Sequence, residues 1–128
     1  MREIKFRGLT INGTWHYGLL AYTENKTLAA GDTGYFISNK AGASFAYQIR
    51  PETIGEYTGL QDKNGIDIYE GDYLKVKTDK GYNFYGEVYF HNCSYCIKFF
   101  GNDVLLGLMP SVEVLGNIHE NPDLITKG

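Results

Sequence analysis

His91 stands two residues before Cys93-Ser94-Tyr95-Cys96, so an imidazole and two thiols fall within one short stretch. Thiolate and imidazole ligands at such spacing can begin a tetrahedral zinc site, with His119 as a fourth ligand brought in by folding. No second Cys-x-x-Cys and no paired-histidine motif accompanies them. A redox pair would need the first cysteine at a helix N-terminus, where its pKa falls; the alternation around Cys93 reads as a hairpin instead. The expectation is two reduced cysteines, as a cytoplasmic compartment keeps them, with no metal and no cofactor.

Carboxylates offer the next chemistry. The segment EYTGLQDKNGIDIYEGDYLKV, residues 56–76, holds Asp62, Asp67, Glu70 and Asp72 among glycines. Glu70 and Asp72 could share acid/base work or hold Mg²⁺, but Gly71 between them marks a turn, where Asp bonds its own backbone. The run is wrongly spaced for an EF-hand loop, whose ligands extend through twelve positions. Ser38, Ser44, Ser94 and Ser111 lack a Gly-x-Ser-x-Gly elbow, and His16 between Trp15 and Tyr17 reads as strand surface. Catalysis is not expected.

Binding residues are easier to nominate. Lys5 and Arg7 are two apart, so both point to one face of a strand, and Arg2 and Arg50 could join them. Trp15, Tyr17, Tyr22 and Tyr35 could stack unpaired bases. A single-stranded nucleic acid on this basic, aromatic face is one reading. The net charge of −3 and the absence of a helix for a major groove weigh against duplex binding. The other reading, and the preferred one, is a non-catalytic module that binds a protein. Its candidate contacts are Tyr57 and Asp72 in the central segment and Asn117, Glu120 and Asn121 near the end. Exposed strand edges and aromatic grooves suit peptide capture, and an edge could also pair with a second copy of the chain.

The elements that must position these residues are strands. Among 128 residues, 15% are aromatic and 16 are glycine, which favours strands joined by tight turns. Ile4-Lys5-Phe6-Arg7 alternates, Asn12-Gly13 has the composition of a type I′ turn, and Thr14–Tyr22 returns. Tyr35–Ile37 and Phe45–Arg50 follow, the latter stopped by Pro51. Asp62-Lys63-Asn64-Gly65 predicts a type I turn with Gly65 left-handed after it. Phe84–Phe90 and Tyr95–Phe100 read as two strands, and Val112 onward as the last. Asn121-Pro122 resembles a helix start. No apolar run reaches the ~20 residues that span a bilayer. Charge is uneven: residues 1–50 carry +3 and residues 51–128 carry −6.

Three ordered segments, MREIKFRG, IGEYTGLQDKNGIDIYEGDYLKV and EVLGNIHENPDLI, resemble the YopX family of phage and prophage proteins. That family has a middle of the form YTGL-D-NG--IYEGD and an end of the form E-IGNI-ENP-LL. The resemblance implies a phage- or prophage-encoded, mostly β protein in a host cytoplasm, with a host or phage protein as partner. It implies an N-terminal β-sheet region, 1–54, packed with a C-terminal SH3-like barrel, 55–128, and little helix. It assigns no chemistry.

Overall fold

The computed structural model describes residues 3–23, 34–38, 47–99 and 101–120. Within them the regular structure is almost wholly antiparallel β, interrupted by two short 3₁₀ turns, Pro51–Thr53 and Leu106–Leu108. The chain divides into two units, Met1–Tyr57 and Thr58–Gly128.

The first unit holds β1 (Phe6–Leu9), β2 (Trp15–Thr23), β3 (Gly34–Ser38), β4 (Tyr47–Ile49) and the beginning of β5 (Gly55–Gln61). They neighbour one another in the order β4-β3-β2-β1-β5. β1 and β2 pair with Leu9 opposite Trp15, so the connection is longer than a two-residue turn. Gly13 N–H donates to Thr10 O at 3.0 Å and Thr10 N–H to Thr14 O at 3.0 Å. Gly13 takes φ +87° while Asn12 stays at negative φ. This is a type I turn followed by a left-handed glycine, not the type I′ turn that Asn12-Gly13 suggests.

The sheet curls at one end. Arg50 N–H donates to Leu9 O at 2.9 Å, and Leu9 N–H donates to Thr53 Oγ1 at 2.9 Å. Ile49 then lies over Gly8 so closely that a Cβ there would stand 2.1 Å from Ile49 Cγ2. Only glycine permits that approach. Among the described residues of this unit, Leu9, Ile37, Ile49 and Tyr57 are the buried apolar ones.

In the second unit follow β6 (Asp67–Tyr69), β7 (Asp72–Lys77), β8 (Asn83–Glu87), β9 (Tyr89–His91), β10 (Ser94–Phe99), β11 (Asn102–Leu105) and β12 (Ser111–Asn117). β12-β7-β8 and β11-β10-β9 are three-stranded antiparallel sheets, and the later part of β5 neighbours β6. Ile68, Leu74, Val76, Val88, Ile97, Leu106 and Val112 form a buried cluster, with Phe84, Tyr95, Met109 and Val114 against it. The mostly-β expectation holds, but among the described residues no sheet closes into an SH3-like barrel.

The single strand expected from Phe84 to Phe90 is two. Val88 between them is buried, donates its N–H to Asp72 O at 2.8 Å and accepts from Gly71 N at 2.9 Å. Those bonds replace a ladder and pass the chain from one sheet to the next. Gly65, at φ +81°, occupies the left-handed position expected of it. The helix start expected at Asn121-Pro122 lies outside the described residues. Among the described residues no helix is long and apolar enough to cross a membrane.

Candidate functional site

Three polar side chains of the second unit, Asp62, Asp72 and Asn117, hold backbone. Asp62 is only 6% exposed. Its Oδ1 accepts from Asn64 N at 2.8 Å and Ile66 N at 2.9 Å, and its Oδ2 from Val114 N at 3.0 Å. Burial works against the charge, yet the N–H groups of Val114, Ile66 and Asn64, with Lys63 beside them, hold this carboxyl below the usual range. One side chain thus shapes its own turn and pins it to β12. Asp72 is buried too and accepts from Tyr69 N at 2.8 Å. Asn117 Oδ1 accepts from His119 N at 3.0 Å and Glu120 N at 2.9 Å, closing the turn after β12. Asp62 and Asp72 do sit at corners, as turn chemistry suggests, but face inward. Asp72 and Asn117 are opposite each other in the β7–β12 register. Glu120 is exposed, and Asn121 lies outside the described residues.

The cysteine region is a tight hairpin. Asn92 and Cys93 both take positive φ, 50° and 64°, between His91 and Ser94, which are paired. The type I′ geometry expected in the first hairpin therefore occurs here. Cys93 is exposed and Cys96 buried. Extended residues between them separate their Cα atoms by roughly 10 Å, beyond the ~7 Å a disulfide tolerates. Burial, then the nearby Asp103 charge, pushes the Cys96 thiol up, away from thiolate. His91 Nε2 lies 3.5 Å from Asp103 Oδ2, while Lys98 Nζ lies 2.8 Å from Asp103 Oδ1. The Tyr89 hydroxyl donates to the same carboxylate. Those bonds, from Lys98 first and Tyr89 second, hold Asp103 below the usual carboxylate range. His91 is thus tied to a carboxylate, and among the described residues no three His, Cys, Asp or Glu side chains gather as metal ligands.

In the first unit the expected basic face is altered. Arg7 is 6% exposed, its guanidinium 4.9 Å from the Trp15 ring centroid. Lys5 sits over Tyr57 at 4.7 Å and pairs with Glu3 at 3.5 Å. Lys5 precedes β1, and β1 lies between two strands and is buried from Arg7 through Leu9. Tyr57 is buried, Trp15 half-buried, and Tyr17 exposed.

What the sequence does not reveal is a cleft of about 700 Å³ at the curled end of this unit. Ile11, His16, Tyr47, Ile49, Arg50 and Pro51 are among its walls. His16 and Tyr47 stack with ring centroids 3.7 Å apart and 11° between planes. Ile11, at the tip of the β1–β2 turn, is 93% exposed. Among its described walls Arg50 is the one formally charged residue, and its Nε meets Glu52 Oε1 at 2.8 Å. These walls come from a turn, two separate strands and a 3₁₀ turn, so no local pattern announces the cleft. It can offer apolar contact and aromatic faces, with little charge.

A sequence model described as YopX protein matches residues 5–126. The chain belongs to the YopX family. The segments that resemble the family contain Asp62, Asp72 and Asn117, the side chains that clasp backbone in the second unit. A crystal structure of protein EF1440 from Enterococcus faecalis is similar, with a TM-score of 0.59 and 23% identity over 98% of this chain and 99% of that one. At that identity the likeness shows a shared fold. No curated protein matches the chain.

Proposed function

We propose that this YopX-family chain is a non-catalytic protein-interaction module, phage- or prophage-encoded and cytoplasmic, that captures a polypeptide of host or phage. The cleft beside β4 is its contact surface. The observation that carries this reading is the exposed Ile11 at the mouth of an apolar cleft floored by the stacked His16–Tyr47 pair. An isoleucine left in water at a turn tip gains by burial against a partner, at about 25 cal/mol per Å². Aromatic walls beside a strand suit an extended peptide. With the one cation among its described walls already facing Glu52, the cleft is poorly equipped for phosphates.

The test is capture from nuclease-treated host lysate on immobilised wild type and on Ile11→Asp. Ile11 is so exposed that its replacement leaves the core untouched. Proteins retained by the wild type and lost from Ile11→Asp support the reading; an identical captured set from both sinks it.

A further inference from the structure

The second unit carries a basic pocket of its own. In the register of β12, β7 and β8, Glu113 lies opposite Lys75, and Ser111 opposite Lys77. On the other side Lys75 faces Tyr85 and Lys77 faces Asn83. Side chains of directly paired residues share a sheet face. The alternate residues Leu74, Val76, Val112 and Phe84 go to the core, so the lysines occupy the opposite face. Lys63 joins them because its N–H donates to Val112 O at 3.0 Å; its Nζ lies 3.7 Å from Glu113. Lys63, Lys75, Lys77, Asn83, Ser111 and Glu113 line a cavity of about 220 Å³.

Among the described residues three cations meet one carboxylate there, although residues 51–128 carry −6 as a whole. Half of the six Lys/Arg residues beyond position 50 converge on this pocket. Asn83 and Ser111 add neutral donors suited to phosphate oxygens. Tyr85, opposite Lys75, is 45% exposed and lies parallel to Tyr73, with centroids 6.4 Å apart. A supported, half-open aromatic ring beside several cations is the pairing with which single strands are held: phosphates on the lysines, a base on the ring.

We propose that this face of β12-β7-β8 binds the phosphate backbone of single-stranded nucleic acid, with Tyr85 as a stacking platform. It is a site separate in residues and chemistry from the cleft of the first unit. The overall negative charge limits the affinity, and each phosphate that the lysines neutralise adds about 0.7 to the log–log salt slope.

The test is fluorescence anisotropy of a labelled oligothymidylate of about 12 nucleotides, a length within the range small β-folds accommodate. It is titrated with the full chain at about 50 mM and about 200 mM salt. Wild type binds saturably at the lower salt. Lys75→Ala with Lys77→Ala weakens binding at least about tenfold and reduces the log–log salt slope by about 1.4, at ~0.7 per phosphate contact. Tyr85→Ala costs about fivefold or more. Lys75→Arg with Lys77→Arg retains binding, and circular dichroism confirms that each variant is folded. No saturable binding by the wild type, or unchanged affinity of the double alanine variant, overturns the proposal. Tripolyphosphate binding as tightly as the oligonucleotide overturns its assignment to a strand.

Discussion

The two units solve the same problem, a small β-structure with many corners, by different means. In Thr58–Gly128, seven buried apolar residues gather in one cluster, and Asp62, Asp72 and Asn117 fasten turns by accepting backbone N–H groups. In Met1–Tyr57 the described sheet curls through a close contact, Ile49 over Gly8, and leaves aromatic rings and Ile11 around a cleft. Both use the same turn. Gly13, Gly65 and Gly81 each follow a type I turn at positive φ, and each donates its N–H to the residue three before it. The oxygen at the head of each turn differs. Thr10 and Thr78 offer a hydroxyl to the residue four later, at 3.1 Å in both, whereas Asp62 offers a carboxylate that also reaches β12. A motif of acidic and glycine residues can therefore mark architecture, while the proposed contact surface gathers where no motif stands.

The largest expected effect tests the clustered core. Leu74→Ala should lower stability by about 3 kcal/mol, since Leu74 is wholly buried and the cavity cannot easily collapse. Urea denaturation measures it; a loss under about 1 kcal/mol would deny the cluster its role.

Asp62→Ala comes next, at about 2 kcal/mol, because it strands three partly buried N–H donors at once. The matched change in the first unit, Thr10→Ala, should cost well under half of that, because its bond is exposed. Equal losses would erase the distinction between a clasp and a simple turn.

Smaller again are Gly13→Ala and Gly65→Ala, at about 1 kcal/mol each from left-handed backbone strain, with open space for the methyl group in both. Near-equal values in the same thermal melts would support a common turn. A Gly65→Ala cost several times that of Gly13→Ala would show that the two turns are not equivalent.

The gentlest probe is pH. Asp62 titrates lower when folded than the ordinary value of 3.8. The stability it adds is present above 3.8 and fades as pH falls below that through the folded value. Acid unfolding of Asp62→Ala should be shallower over this range than that of the wild type. Asp103, also held low, leaves some slope in both.

Much of this was readable in the chain. Gly65 after Asp62-Lys63-Asn64 declared its turn because local residue types decide local φ. Asn12-Gly13 suggests a two-residue type I′ turn, but the Leu9–Trp15 register leaves a three-residue loop, Ile11 to Gly13, between Thr10 and Thr14, so the chain takes the same type I turn and left-handed glycine as Asp62 to Gly65. The type I′ turn at Asn92-Cys93 carries no such local cue, because Cys93 is an unusual residue for positive φ. Arg7 alternated like a solvent-facing residue, and nothing local revealed that β1 would be covered. The reach of Asp62 to Val114 spans 52 positions, and the cleft joins turn and strands that are distant in sequence. Periodicity carries no such long-range register.

The most direct measurement compares Ile11→Asp with Asp62→Ala, each assayed for melting temperature and for capture of partner proteins well below its own midpoint. The account predicts that Ile11→Asp melts like the wild type and loses capture, while Asp62→Ala melts lower and keeps it. Capture lost from Asp62→Ala while still folded, and retained by Ile11→Asp, would place the contact surface in the second unit and contradict the account.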